Sequence, residues 1–335
     1  MKKVAILSLS NTVSSVMVGS IDILSTAGRL WPDLVGAGQA AELFQTMLVA
    51  PERSTKAVNS NMRIIADHTF DNCPVPDIVF VPPIWLAPGD DKYLAQTAVF
   101  EWLREMAARR VLLTSACTGS LLLAAANLLD GVAATTHWAF AKTMRDNHPR
   151  VNLLEQHTLI EARTTTKVIT AGGHAAWQNL VLHLIRIFGG EETAMQSARL
   201  FLLQGSADSQ QSYACGVAKR FHDDALIRKA EGLFEKDFAA PDVVARARVE
   251  LGLTERTFSR RFKRYTGYSP LAYVQGLRLE ASKKQLAIST ENIETIATAV
   301  GYEDVASFRR LFKKHTGLTP GAFRRKFAIP VPRAG

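Results

Sequence analysis

Gly252-Leu-Thr-Glu-Arg-Thr-Phe258-Ser-Arg-Arg-Phe262-Lys-Arg-Tyr-Thr266-Gly267-Tyr-Ser-Pro270 recurs further down the chain as Gly301-Tyr-Glu-Asp-Val-Ala-Ser-Phe308-Arg-Arg-Leu-Phe312-Lys-Lys-His-Thr316-Gly317-Leu-Thr-Pro320. From the first phenylalanine onward the offset is constant at 50 residues, Phe258 answering to Phe308 and Pro270 to Pro320. Each copy sets two aromatics at i and i+4 on one helical face, puts Arg and Lys on the other, and ends in Thr-Gly and a proline. A doubled amphipathic basic helix is what a two-pronged reader of the DNA major groove requires. The surrounding residues complete two helix-turn-helix units. Val243, Val244, Ala247 and Leu251 share a helical face before Gly252 turns the chain into a helix from about Thr254 to Tyr265. Ile293, Ile296, Ala297 and Val300 do the same before Gly301 and a helix over 305–315. Ser269-Pro270 is an N-cap with proline at N1, starting a connecting helix through Val274, Leu277 and Ala281. Thr319-Pro320 repeats the device for a closing helix that ends near Phe327.

The charge follows the same division. The chain has 335 residues and a formal net charge of +9. From Ala225 onward there are 21 Lys and Arg against 11 Asp and Glu, and before it 19 against 20. All the excess positive charge therefore lies in the C-terminal third, where a polyanion would bind. Cys73, Cys117 and Cys215 are odd in number and far apart, which excludes a disulfide framework. The apolar start breaks at Ser8, Ser10 and Asn11, too early for a secretory signal. The longest apolar stretch, 121–129, is interrupted by Asn127 and too short to cross a bilayer. These features predict a cytoplasmic protein without membrane partners. No metal-ligand spacing, Walker loop or Gly-x-Gly-x-x-Gly run occurs, so no cofactor is expected.

With the phenylalanines inward, Arg256, Ser259, Arg260 and Lys263 project from the first reading helix and Ala306, Arg309, Arg310 and Lys313 from the second. Arg260 and Arg310 occupy equivalent positions and are the candidate base readers, since arginine can bond guanine O6 and N7 with both arms. Arg261, Lys263, Lys313 and Lys314 are assigned to phosphates, which fix register without reading sequence. The block 225–328 resembles the AraC/XylS DNA-binding domain over its whole length. Residues 252–262, Leu277-Arg-Leu-Glu280 and residues 301–312 carry the match. The resemblance implies two helix-turn-helix units in successive major grooves on one DNA face. Ala306 stands where some relatives carry a long polar base reader, which implies that the second unit contributes affinity more than specificity.

Residues 3–200 alternate short apolar runs with helical segments. Residues 4–8, 47–50, 77–81, 111–115 and 167–170 are predicted as strands of a mostly parallel sheet in a three-layer α/β sandwich. Ser115-Ala116-Cys117-Thr118-Gly119-Ser120 lies between a buried strand and an expected helix over 121–129. Small residues around a nucleophile there make an elbow, and a helix N-terminus under the sulfur would favour thiolate. His137, in Thr135-Thr136-His137-Trp138, is a candidate neighbour. His174 and Trp177 follow the strand at 167–170, His174 as a pocket candidate and Trp177 as core.

The elbow, Leu129-Asp130-Gly131 and Thr135-Thr136-His137-Trp138 are similar to the PfpI/ThiJ class I glutamine amidotransferase-like family. Placed ahead of an AraC-type domain, they resemble the GlxA-type regulators across nearly the full chain. That resemblance implies a small effector, nitrogenous in kind, held near Cys117, Thr118, His137 and His174, together with a homodimer, activation and contact with RNA polymerase. Three features oppose enzymatic use of the elbow. Thr118 stands where amidase members have histidine. The stretch 14–19 lacks the family's acid, the nearest carboxylate being Asp22. Val81-Pro82-Pro83 replaces a glycine-containing strand end, and proline has no N–H to offer an oxyanion. The competing expectation is a cysteine-dependent amidase or hydratase carrying a DNA-binding domain. The polar run 204–212 reads as linker, giving a sensor domain over 1–203, a linker over 204–224 and a DNA-binding domain over 225–328.

Overall fold

The computed structural model describes residues 1–335 apart from 36–39, 57–61, 88, 164–166, 174, 204–208, 215–216, 218–221 and 329–335. It divides into two compact units, Met1–Gln210 and Gln211–Gly335.

In the first unit the elements run β1 (Lys2–Leu7), α1 (Ser14–Thr26), α2 (Leu30–Val35), β2 (Phe44–Ala50), β3 (Ser54–Lys56), β4 (Arg63–Ile65), β5 (His68–Thr69), β6 (Ile78–Val81), α3 (Thr97–Ala108), β7 (Leu112–Ala116), α4 (Gly119–Ala125), β8 (Ala133–Ala134), α5 (Ala141–Asn147), β9 (Asn152–Leu153), β10 (Leu159–Arg163), β11 (Lys167–Ala171) and α6 (Ala176–Leu200). Among the described residues, seven strands make one sheet in the order β10-β11-β7-β6-β1-β2-β5. Neighbours pair in parallel except at the β10–β11 edge. Successive side chains of a strand point to opposite faces, so each central strand feeds two cores. Met47, Ala5, Val79, Leu113 and Val168 lie side by side across five strands and belong to one core with Trp102, Leu103, Leu121 and Leu122 of α3 and α4. Val4, Ile6, Ile78 and Phe80 point the other way, onto Val16 and Met17 of α1 and Leu180 and Leu184 of α6. This is the three-layer sandwich that the apolar runs imply. The helix expected over 121–129 is shorter, ending at Ala125, because Asn127 turns left-handed at φ 59°.

The second unit is helical: α7 (Ala225–Asp237), α8 (Val243–Glu250), α9 (Glu255–Thr266), α10 (Pro270–Ile288), α11 (Ile293–Ala299), α12 (Val305–Thr316) and α13 (Pro320–Phe327). The sequence repeat reappears atom by atom. Thr254 and Asp304 cap α9 and α12, and Gly267 and Gly317 end them in the left-handed conformation. Ser269 and Thr319 then cap the following helices, each with proline in the first turn. The Thr266 hydroxyl donates to Phe262 O at 2.8 Å and accepts from Tyr268 N at 3.1 Å. Thr316 does likewise with Phe312 O and Leu318 N, at 2.8 and 3.2 Å. Phe258 and Phe262 are buried in one core, with Phe234 and Tyr273, and Phe308 and Phe312 in another, with Ile296 and Phe323.

One arginine binds the two cores into a single body. Arg278, on α10, donates to Phe238 O at 2.7 Å, Ala240 O at 3.1 Å and Gly301 O at 2.8 Å. Its guanidinium also lies 5.6 Å from the Tyr302 ring centroid. The two turn glycines, alike in sequence, differ here. Gly252 has φ +64° and open space where a Cβ would stand, whereas Gly301 has φ +92° and a Cβ there would lie 2.3 Å from Ala239 O.

The run at 204–212 is not the plain tether that its polarity implies. Residues 204–208 lie outside the described residues, but Gln210 and Ser212 are buried. Hydrogen bonds of Ser209 and Gln210 hold this end of the run down, which composition cannot reveal. In the second unit, Gln211 Nε2 donates to Lys314 O at 2.8 Å, Tyr213 stacks edge-on against Phe327, and Lys283 Nζ donates to Ala214 O at 2.6 Å.

Gly252→Ala should cost about 1–2 kcal/mol, the strain of a left-handed alanine alone. Gly301→Ala should cost at least twice that, because Ala239 must also move; chemical denaturation of the two variants separates them. Arg278→Met should destabilise the C-terminal unit by about 2–4 kcal/mol, three carbonyls losing a charged partner. Arg278→Lys should recover less than half of the loss in the same unfolding measurement, an ammonium being unable to span all three.

Candidate nucleic-acid interface and elbow pocket

The buried phenylalanines decide what α9 and α12 show to solvent. Arg256, Ser259, Arg260 and Lys263 are exposed on α9, and Ala306, Arg309, Arg310, Lys313 and Lys314 on α12. The two sets are not electrostatically equal. Arg256, Arg260 and Lys263 take no ion-pair partner among the described residues. On α12, Arg309 pairs with Glu294 at 2.6 Å, and Arg310 donates to Ser307 Oγ at 2.8 Å with Asp304 at 3.9 Å. Asp304 also caps the helix through Ala306 N and Ser307 N, and the Ser307 hydroxyl with these two N–H groups holds its carboxyl below the usual range.

Arg261 departs from its expected phosphate role. Its Nε donates at 2.7 Å to Asp224 Oδ2, and the Asp224 side chain is 2% exposed. Burial opposes ionisation of Asp224. Arg261, Ile227 N and Leu226 N outweigh that, so the carboxyl sits below its ordinary value. Arg261 therefore neutralises the N-cap of α7, and the basic face of α9 is carried by its neighbours.

In the first unit the elbow is present. Cys117 follows β7 at φ 55°, a conformation that L side chains rarely adopt. Its N–H donates to Ala171 O at 2.8 Å, and its carbonyl accepts from Ser120 Oγ at 2.8 Å and Thr136 Oγ1 at 3.2 Å. The expected thiolate does not follow. Burial pushes the Cys117 thiol up to about 11, only partly offset by the N–H and hydroxyl of Thr118, and the sulfur's residue is 4% exposed. The start of a short helix does not overcome that desolvation.

Thr118 is committed elsewhere: its hydroxyl donates to Ile84 O at 2.7 Å and accepts from Ile84 N at 2.9 Å. The strand end beside it presents acceptors, since a Cβ on Gly119 would lie 2.5 Å from Val81 O and 2.7 Å from Pro82 O. His137 accepts at Nδ1 from Ala139 N at 3.1 Å and packs against Trp138 and Phe140, and the Thr136 hydroxyl donates to the Cys117 carbonyl. Asp22, on α1, is exposed. His174 lies outside the described residues. Trp177 packs over Gly19 in the second core.

Two groups at this site escaped the sequence reading. Thr135 carries no expected role of its own within its motif, yet its N–H donates to Thr170 Oγ1 at 2.8 Å, and its hydroxyl donates to His157 O at 2.8 Å. Gln210 enters the same cluster from a run read as linker, donating to Thr136 O at 2.8 Å. Paired threonines beside an elbow were the available signal for the first; nothing local marks the second.

A model of the DJ-1/PfpI family matches residues 2–187, more than half of the chain. The chain belongs to the DJ-1/PfpI family. A helix-turn-helix domain model matches residues 249–326, so this DJ-1/PfpI chain carries an AraC-type DNA-binding block behind its α/β unit. It is similar to the HTH-type transcriptional regulator CdhR of Pseudomonas aeruginosa, 24% identical over 88% of this chain and 85% of that one. It is 26% identical to the HTH-type transcriptional regulator GlxA of Rhizobium meliloti over 85% of this chain and 86% of the relative. A stretch of 72 residues, 22% of this chain and 30% of the relative, is 43% identical to isonitrile hydratase of Pseudomonas putida. Among the described residues no helix is long and apolar enough to cross a membrane.

Because the Cys117 thiol titrates near 11, only about one thiol in ten thousand is ionised at pH 7. Iodoacetamide labelling of Cys117, followed by mass spectrometry, should therefore be slow at neutral pH and rise about tenfold per unit up to about pH 10. A rate that levels off below pH 8 would show an activated thiolate instead.

Proposed function

We propose that this chain is a DNA-binding transcription regulator. It reads promoter half-sites as a homodimer through α9 and α12, in response to a small nitrogenous metabolite held in the DJ-1/PfpI unit. The observation that carries the proposal is the pair of recognition helices, alike in length and capping, with basic faces outward and a shared body fixed by Arg278. Arg260 and Arg310 are the proposed base readers, with Lys263, Lys313 and Lys314 on phosphates. Ala306 reads no base by hydrogen bond, and Arg309 exchanges Glu294 for DNA. Arg256 and Ser259 flank the reading face of α9. Activation and contact with RNA polymerase follow the regulators to which the chain is similar, as does the effector pocket around Cys117, Thr118, His137 and His174.

A hydratase or amidase role is the second reading, favoured by the 72-residue likeness to isonitrile hydratase. A protonated buried thiol, and a strand end that offers carbonyls where an oxyanion would need N–H donors, weigh against it.

Arg260→Ala should lose about 1–3 kcal/mol at a specific promoter fragment and relax base preference there, because a two-armed guanine contact goes. Lys263→Ala should weaken specific and non-specific DNA alike and lower the slope of log affinity against log salt by about one. Fluorescence anisotropy over a salt series measures both. Unchanged sequence discrimination in Arg260→Ala would remove it from the base readers.

A further inference from the structure

Gln210 is 2% exposed, and its carboxamide is gripped at both ends. Nε2 faces Glu155 O at 2.5 Å, Thr136 O at 2.8 Å, Thr135 Oγ1 at 3.3 Å and His157 O at 3.3 Å. Oε1 accepts from Trp138 N at 3.1 Å. Four acceptors converge on a nitrogen that has two hydrogens, so the cradle holds more hydrogen-bonding capacity than Gln210 uses. Gly172 leaves the space: a Cβ there would lie 2.6 Å from Nε2 and 3.0 Å from His157 O. The cradle is built into the elbow from two sides. Thr136 joins it to the Cys117 carbonyl, and Gly172 follows Ala171, whose carbonyl takes the Cys117 N–H.

The walls of this cradle come from the chain around β8, β9 and β11, and its occupant comes from the end of the same unit. Gln210 is the last residue of the first unit. Beside the carboxamide, Gln210 N and Ser209 Oγ donate to the same Gln156 carbonyl at 3.2 and 2.8 Å. An occupant gripped at both ends of one functional group presents that group's own hydrogen-bonding pattern to any free molecule that carries it.

We propose that the cradle formed by Thr135, Thr136, Trp138, Glu155, His157 and Gly172 is a binding site for the primary carboxamide of a small molecule, taken in exchange for the Gln210 side chain. This deepens the effector-binding reading of the DJ-1/PfpI unit and rests on it. The exchange frees the chain one residue before Gln211, whose own side chain caps α12 at Lys314 O. The internal carboxamide lowers the apparent affinity of any free one by the fraction of time for which it holds the cradle.

The test uses the full-length protein, with propionamide, ethylammonium and propionate as probes in saturation-transfer NMR titrations. Gln210→Ala should bind propionamide about tenfold or more tightly than wild type. Gln210→Asn, which withdraws the carboxamide by one methylene, should show a gain in the same direction and serves where the alanine variant does not fold. Adding Gly172→Ala to Gln210→Ala should abolish the gain, because the new Cβ fills the cradle. Equal propionamide affinity in wild type and both Gln210 variants overturns the proposal. So does a gain that survives Gly172→Ala, and an equal gain for ethylammonium or propionate overturns the carboxamide assignment. Specific binding of wild type to its own promoter fragment, read in parallel, separates the two levels: its loss defeats the regulator reading, whereas its persistence with no probe effect defeats only the cradle.

Discussion

The C-terminal unit depends on Arg278. Each half has its own small core, and neither core alone specifies an angle to the other. Three carbonyls taken by one planar, permanently charged fork do so, because the fork geometry admits one relative placement of the 238–240 turn and Gly301. The contact of Gly301 with Ala239 closes the same joint sterically. The consequence reaches function directly. In the proposed complex two helices in successive grooves need a defined separation, and a joint already fixed in the free protein supplies one. The free energy of aligning them is then part of folding, not of binding.

The first unit shows the reverse economy. It keeps a strained elbow at Cys117, with φ 55°, yet surrounds the sulfur so closely that the thiol stays protonated. The backbone is held there by Ala171 O, Ser120 Oγ and Thr136 Oγ1. These same contacts tie β7, α4 and β11 together at the carboxyl edge of the sheet. The elbow thus serves as a rigid corner of the sheet edge, and the strain persists because the surrounding bonds over-determine it.

Much of this was legible in the chain. The apolar runs around Val79-Phe80-Val81 and Val111-Leu112-Leu113 fall in the central strands, since burial on both faces leaves no alternation to misread. The doubled phenylalanine spacing located α9 and α12 to within a residue, because caps and period agree. What stayed hidden involves partners distant in sequence. Arg261 looks like its neighbours until Asp224, 37 residues earlier, is found beneath it. Thr118 looks like a pocket hydroxyl until Ile84 takes both its hydrogen-bonding roles. Gln210 lies among small polar residues, and only the carbonyls around it distinguish it from them. The thiolate expectation failed for a different reason: helix position is local and visible, whereas desolvation is a property of the finished core.

The unequal dressing of the two recognition helices has a kinetic consequence. In the proposed DNA complex, Arg256, Arg260 and Lys263 would meet the duplex without first giving up an ion-pair partner among the described residues. Arg309 and Arg310 must leave Glu294 and the Asp304–Ser307 pair, exchanging one polar contact for another. In the proposed complex the arginines of α9 would therefore engage without a prior dissociation step, whereas those of α12 would engage only after their protein contacts open, with Lys313 and Lys314 needing no such step.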